Sequence, residues 1–287
     1  MLVELAIGDA YGHCFEYADE NIKYNNLSGY IQHPRHKKLK PGEYTDDTQM
    51  SIAIAELIVS GDEWTPFNIA NRFVDCFKRD WRDGYARGFQ KFLEGINNGQ
   101  EFLNKIKPHS DKSGSAMRSC PIGVYKDVYE VLEKAKIQAK LTHDTPDGIA
   151  AAQAAALMTH LCIYDRQVYS YVAFMGNALN THVGTRDWCE RWEGKVKSKG
   201  YMSVHAALTA VRNNLKLSDL LRACINFTGD TDTVATIALG AASCSSEYTN
   251  DLPQVLIDRL ENGKYGRDYL ETLDVELEKH VERVRWK

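Results

Sequence analysis

Paired cysteines are missing from this sequence. Its seven Cys, at positions 14, 76, 120, 162, 189, 224 and 244, are odd in number, scattered and nowhere spaced C-x-x-C. That pattern argues against both a disulfide framework and a structural zinc site. Proline is sparse at 7 and glycine is dispersed at 20, so no linker marks a domain boundary, and no internal repeat or low-complexity tract is found. A basic excess is also missing. The chain has 35 Lys and Arg against 39 Asp and Glu, a net charge of −4 at pH 7, which removes the usual electrostatic footprint of nonspecific binding to nucleic acid or a membrane surface. Long apolar runs are absent too. A stretch such as 149–158 is mostly Ala and falls far short of the roughly 18 residues a spanning helix needs. The opening Met1 to Gly8 carries no basic stretch and meets Asp9 too early for a secretory core. Free thiols and the absence of a leader predict a cytoplasmic protein that does not engage a membrane.

What remains is ordinary globular material, 44% hydrophobic and 26% charged over 287 residues, enough to bury a sizeable core. Helical periodicity dominates it. Thr65-Pro66 opens a segment to Lys78 in which Ile69, Phe73 and Phe77 share one face. Thr145-Pro146 opens another, Asp147 to His160, where Ala150, Ala151, Ala152, Ala154, Ala155 and Ala156 combine helix propensity with little bulk. This segment is expected to be central and tightly packed. Further helices are predicted at 48–60, 124–140, 166–179, 203–213, 233–243, 252–261 and 269–284. No β-hairpin or βαβ alternation is present, although Ala223 to Phe227 reads as a short strand. The expected fold is all-α, with residues 1–287 forming one compact domain.

Acids are unevenly placed. Asp46 and Asp47 stand side by side in Glu43-Tyr-Thr-Asp-Asp-Thr-Gln-Met50, and Asp230 and Asp232 stand two apart in Thr228-Gly-Asp-Thr-Asp-Thr-Val234, each just before an apolar helix. One such cluster is explained by N-capping, since Asp and Thr accept from orphan helix N–H groups and complement the positive end of the dipole. Two clusters hold more acids and hydroxyls than caps can use. Adjacent carboxylates raise each other's pKa unless a cation neutralises them. Hard oxygen donors with no His or Cys favour Mg²⁺, Mn²⁺ or Ca²⁺ over zinc, and four carboxylates from two segments suit two ions about 3.5–4 Å apart.

Two other motifs fit less well. Asp230-Thr-Asp232-Thr-Val234 matches the D-x-D-x-[TV] nucleophile of haloacid-dehalogenase-type phosphotransferases, but residues 235–287 cannot supply the α/β sheet that fold needs. Asp46-Asp47 resembles the D-D-x-x-D box of terpene synthases, except that Met50 stands where its last acid belongs.

Taken together, and in chain order, five elements resemble the ADP-ribosylglycohydrolase family, which includes the dinitrogenase-reductase-activating glycohydrolase type. They are Gly8-Asp-Ala-Tyr-Gly12 followed by Glu16, Thr45-Asp-Asp-Thr-Gln-Met50, Gly114-Ser-Ala-Met-Arg118 with Pro121-Ile-Gly123, Thr142-His143, and Gly229-Asp-Thr-Asp-Thr233. The resemblance covers nearly the whole chain. It implies an all-α fold whose cleft holds a binuclear centre of two Mg²⁺ or Mn²⁺, with Thr45, Asp46, Asp47, Asp230, Asp232 and Thr233 as ligands. It also implies hydrolysis of the bond between the anomeric carbon of ADP-ribose and an acceptor. Such a reaction passes through an oxocarbenium-like state that nearby carboxylates stabilise. Asp47 or Asp232 is the candidate to orient or deprotonate the attacking water, and Glu16 is a further catalytic candidate.

Ser113, Gly114 and Ser115 are expected to present backbone N–H groups to the pyrophosphate, with Met117 packed beneath them and His143 at ribose or phosphate. Arg118 is expected to anchor an internal acid, with phosphate binding as its alternative, and Tyr85 and Phe89, whose alternative is to stack on adenine, are assigned to the core and left out of the site. His33-Pro-Arg-His-Lys-Lys-Leu-Lys40 is the one concentrated basic segment, read as a solvated loop with steering of an anionic macromolecule as its functional alternative. Tyr11, Ser113 and Thr228 replace residues common at those places in the family, a smaller aliphatic, Asn and Gly, and leave the acceptor open. The expected substrate is an ADP-ribosylated protein, nucleic acid or small molecule, ADP-ribose is the product, and the chain is expected to act as a monomer. The competing reading is a noncatalytic ADP-ribose-binding or crystallin-like member of the same fold.

Overall fold

The computed structural model describes residues 1–164 and 171–285, side chains of 171–173 and 282–285 excepted. Thirteen α-helices run through the described residues: α1 (Leu2–His13), α2 (Asp46–Ser60), α3 (Pro66–Arg79), α4 (Arg87–Glu94), α5 (Gly99–Lys105), α6 (Val128–Lys140), α7 (Pro146–Tyr164), α8 (Tyr171–His182), α9 (Gly200–Asn213), α10 (Leu217–Asn226), α11 (Thr231–Ala242), α12 (Gln254–Arg259) and α13 (Arg267–Arg285). Among these residues β-structure is limited to isolated bridges, and no helix is long and apolar enough to cross a membrane.

The predicted helices at 48–60, 65–78 and 147–160 correspond to α2, α3 and α7 within a few residues. The start of the 166–179 prediction lies outside the described residues, and α8 covers the rest. The strand reading of Ala223 to Phe227 is corrected. Those residues lie in or just after the last turn of α10, because Leu217, Leu220, Leu221, Cys224 and Ile225 are all buried and continue one apolar face at i, i+3, i+4, i+7 and i+8. The predicted helix from 124 starts later, at Val128, where the Asp127 side chain caps Glu130 N; residues 120–124 form a 3₁₀ turn instead.

Two helix pairs build the centre. The Ala-rich α7 is buried on almost every side, as expected of a helix with no polar face, and packs against α6 and α9. The closest pairing is α1 with α11, where Gly8 and Gly12 take the place of knobs. A Cβ on Gly8 would sit 2.6 Å from Ala235 O, and one on Gly12 2.5 Å from Asp232 Cα. Backbone lies against backbone, so the first turn of α11 is positioned directly by α1. The first turns of α2 and α11 both pack near α1, and the acids they carry converge on one cavity.

Candidate functional site

Asp9, in the middle of α1, is fully buried and reaches the start of α2. It accepts from Thr45 N at 2.9 Å, Thr45 Oγ1 at 2.7 Å, Thr48 N at 3.0 Å and Thr48 Oγ1 at 2.6 Å. The cap of α2 is therefore supplied from another helix, and Thr45 makes no side-chain cap of its own. At α11 the Asp230 side chain likewise makes no cap bond; it accepts a 2.6 Å hydrogen bond from Ser203 Oγ. The capping explanation of the two acidic motifs thus leaves Asp46, Asp47, Asp230 and Asp232 unexplained.

A single cavity of about 680 Å³ gathers them. Its lining includes Glu16, Asp46, Asp47, Asp230, Asp232 and Thr233, and carboxylate oxygens of Glu16, Asp230 and Asp232 lie within 4.8 Å of one another. Asp47 Oδ2 and Asp232 Oδ1 are buried without a hydrogen-bond partner, an arrangement that costs free energy unless something absent from the polypeptide meets them. Burial, followed by the neighbouring carboxylates, pushes Asp47 and Asp232 well above the ordinary carboxylate range. Burial raises Asp46 as well, with Asp9 and Glu16 adding to it. Asp230 is raised by burial to about 7, with the Ser203 hydroxyl acting to lower it. Orphaned, crowded carboxylate oxygens with the Thr233 hydroxyl beside them suit a hard divalent cation.

The rest of the lining differs in chemistry. Phe89 and Phe92 of α4 form an apolar wall, with their rings parallel to within 15° and centroids 5.9 Å apart. Lys105, Lys107 and Lys112, all exposed, line the mouth. His143 faces the same space beside Gly114. Its Nδ1 is taken up inside the protein: Thr142 Oγ1, which accepts from Arg118 at 2.8 Å, stands 2.6 Å from it, so Nε2 is the ring nitrogen left for a ligand. Burial and then the Arg118 charge lower the imidazole to about 3, leaving it neutral.

Of the residues named from sequence, Thr45 is buried but absent from the cavity lining, bound to Asp9. Ser113, Gly114 and Met117 line the cavity, whereas Ser115 does not; its hydroxyl donates to Gly148 O at 2.9 Å. The Ser113 N–H is bound to Ser198 O at 3.1 Å and is not available to a phosphate. Arg118 is an anchor, but its partners are Gln138 and Thr142 rather than an acid, and burial lowers its guanidinium to about 9. Tyr85 is buried and donates to Gln49 at 2.6 Å, as a core residue does. Phe89, set aside as core, lines the cavity, and Phe92 and the three lysines escaped the sequence reading. The available signal was two Phe at i, i+3 on a short helix flanked by Gly and Lys. In the basic segment Lys37, Lys38 and Lys40 are exposed, while Arg35 donates to Tyr17 O and ties the segment to the cavity edge.

One backbone feature supports the second acidic motif. Val196 and Gly229 form a bridge, with Val196 N donating to Thr228 O and Asp230 N to Val196 O, both at 3.1 Å. Gly229 has φ +86°, and a Cβ there would lie 1.8 Å from Val196 O. Thr228 also has a positive φ, 60°, where a β-branched residue is strained. Thr228→Gly is expected to raise stability by about 1 kcal/mol, a shift of roughly 2–4 °C in melting temperature. A drop in melting temperature would show that the threonine side chain compensates for its backbone.

An all-helical fold with a deep acidic cleft closed by helix N-termini is the class these observations define. Residues 1–285 match the family model described as ADP-ribosylglycohydrolase, and the chain belongs to that family. ADP-ribosylarginine hydrolase Tri1 of Serratia proteamaculans (strain 568) is 24% identical over 276 residues, covering 90% of this chain and 74% of that one. ADP-ribosylhydrolase ARH3 of Xenopus tropicalis is 24% identical over 303 residues and 84% of each chain. A solved structure titled "ADP-ribosylglycohydrolase-related protein complex" superposes with a TM-score of 0.69 at 19% identity, covering 98% of this chain and 96% of that one; this likeness concerns the fold.

Proposed function

We propose that this chain, acting as one domain over residues 1–287, is a divalent-cation-dependent hydrolase that releases ADP-ribose from a modified acceptor. The observation that carries the reading is the cavity, whose parts match those of ADP-ribose: buried acids for the ribose and its reacting carbon, lysines for the pyrophosphate and a phenylalanine wall for the adenine. Asp46, Asp47, Asp230, Asp232, Thr45 and Thr233 would hold two Mg²⁺ or Mn²⁺, with Thr45 offering a lone pair while its hydroxyl donates to Asp9. When bound, such ions supply positive charge that orients ribose hydroxyls and lowers the pKa of water.

The chain's own groups do the rest. Asp47 or Asp232, each with an unpartnered oxygen, orients or deprotonates the attacking water, and the remaining carboxylates stabilise positive charge developing at the anomeric carbon. Glu16 borders the same point. His143 meets a ribose or phosphate oxygen through Nε2, and Gly114 leaves room for that contact. Ser113 acts through its hydroxyl on Asp230. The sequences of Tri1 and ARH3, named for hydrolysis of ADP-ribosyl linkages, support the reaction class.

The test is turnover. Purified protein with Mg²⁺ is incubated with ADP-ribose linked through arginine, through serine and through a nucleobase, with an EDTA control. Release of ADP-ribose from at least one, abolished by EDTA, is expected; tight ADP-ribose binding without release from any would favour the noncatalytic binder. Phe89→Ala is expected to raise KM about 5–150-fold with kcat little changed, since stacking of a base on an aromatic ring contributes about 1–3 kcal/mol. An unchanged KM would remove the adenine from that wall. Replacing Lys37, Lys38 and Lys40 by Ser is expected to slow turnover of an ADP-ribosylated macromolecule and spare a small ADP-ribosyl compound; equal effects on both would end the steering role.

A further inference from the structure

The imidazoles beside Glu16 have no part in the reaction above. His13 is the last residue of α1, three residues before Glu16, and is 4% exposed with neither ring nitrogen hydrogen-bonded. A buried imidazole in that state leaves both a donor and an acceptor unmet. Its Nδ1 lies 3.4 Å from a Glu16 carboxylate oxygen, within ion-pair reach but not aligned as a hydrogen bond. The rings of His33 and His36 each lie 5.2 Å from it, centroid to centroid.

His33 is fully used. Its Nδ1 accepts from the backbone N–H groups of Arg35 at 3.1 Å and His36 at 2.9 Å, so the ring proton is on Nε2, which donates to Glu16 O at 2.9 Å. One ring thus fastens the turn carrying His36 to the backbone of Glu16. The outcome is that ligand atoms of His13, Glu16 and His36 all lie within 4.8 Å of one another.

We propose that His13, His36 and Glu16 form a separate site for a borderline-soft divalent ion of the Zn²⁺ class, at the edge of the acidic cavity. Two imidazoles and one carboxylate are a donor set that prefers Zn²⁺ to Mg²⁺, whereas the all-oxygen cluster next to it has the opposite preference. Three protein ligands leave a fourth position open, as in zinc sites that take water or a substrate atom. Ligand distances of about 2.0–2.2 Å require the three groups to contract; the exposed His36 is free to turn inward, and the buried ring of His13 is already waiting. His33 is the positioning residue that sets the turn. Because the Glu16 carboxylate also lies within 4.8 Å of Asp230 and Asp232, occupation of this site draws on a group that borders the hydrolytic cluster. The inference does not rest on the hydrolase reading.

The test is titration of the full chain, kept saturated with Mg²⁺, with Zn²⁺ or Co²⁺. One Zn²⁺ per chain is expected to bind despite excess Mg²⁺, and Co²⁺ to give a visible absorption band typical of low-coordinate nitrogen ligation. His36→Ala is expected to weaken Zn²⁺ binding about 100-fold and His33→Ala about 10–100-fold, both retaining stabilisation by Mg²⁺. Asp47→Asn, which cripples the oxygen cluster, is expected to keep the Zn²⁺ site, which separates failure of one site from failure of the other. Zn²⁺ binding as in wild type by His36→Ala, or no Zn²⁺ binding at all under Mg²⁺, would overturn the proposal. His36 is exposed, so its variant decides the matter even where His13→Gln fails to fold.

Discussion

Asp47→Asn and Asp232→Asn are each expected to lower Mg²⁺-dependent release of ADP-ribose by about 10²–10³-fold or more, the scale on which removal of one preorganised electrostatic group acts. The metal-free protein should at the same time become more stable, since a charge-free isostere relieves a crowd of buried carboxylates. For wild type, Mg²⁺ at about 100 times its Kd adds about 2.7 kcal/mol per site, or roughly 5–10 °C in melting temperature, and the two variants should lose most of that gain.

The same carboxylates set a pH signature. Asp230 has its folded-state pKa raised to about 7, above the ordinary value of about 3.9. The folded protein therefore holds this proton more tightly than the unfolded chain does. The resulting stability is complete below about pH 4 and is lost as pH rises through about 7; Asp47 and Asp232, raised by the same burial, act in the same direction. Metal-free protein should accordingly melt lower at about pH 8 than at about pH 5, and saturating Mg²⁺ should reverse the trend because a cation needs its ligands deprotonated. Melting curves over that range with and without Mg²⁺ are the measurement. A metal-free midpoint that climbs with pH, or wild-type turnover in both variants, would remove these residues from the reaction.

The second large effect is expected from one methyl group. Gly12→Ala places a Cβ 2.5 Å from Asp232 Cα and 2.7 Å from both Asp232 N and Thr231 O. All three are backbone atoms at the start of a helix, so no flexible side chain can yield. Overpacking commonly costs about 1–3 kcal/mol, and here the rigid pairing of α1 with α11 places the cost at or above about 3 kcal/mol, visible as a melting temperature lower by roughly 6–12 °C. The variant that still folds must move the first turn of α11 and with it Asp232. A displacement of about 1 Å in a positioned group is enough for about 10² in rate, so activity should fall further than the folded fraction does. Gly12→Ser should behave like Gly12→Ala, since the clash begins at Cβ. Near-normal stability in both would mean that the two helices can part without cost.

These two expectations differ in how far the sequence alone reaches. Asp46, Asp47, Asp230 and Asp232 stand out because acids crowd where a single cap would suffice, and that excess is a local property visible in ten-residue windows. Gly12 gives no such signal. In sequence it is a glycine near the end of a helix, and its meaning comes from a partner more than 200 residues away. Phe89 and Phe92 carry the opposite ambiguity: aromatic residues at helical spacing read as core, and only the position of α4 beside an open cavity makes them a wall. Ala223 to Phe227 looked like a strand because Ile225 and Phe227 alternate with a polar Asn226, but the apolar repeat beginning at Leu217 outweighs that local preference once a buried surface exists for it to face.

The sequence by itself determined the helical class, the family resemblance and the acidic motifs, because periodicity and short-range crowding are encoded by neighbours in the chain. Only the tertiary structure decided which of those acids lack partners, that Asp9 caps α2 so that Thr45 need not, and that His13, His36 and Glu16 meet. The first two depend on helices that pack across the core, and the third on a turn that His33 fastens to the backbone of Glu16. Hydrogen-bond satisfaction and ligand geometry belong to the folded conformation, and residue order alone does not specify them.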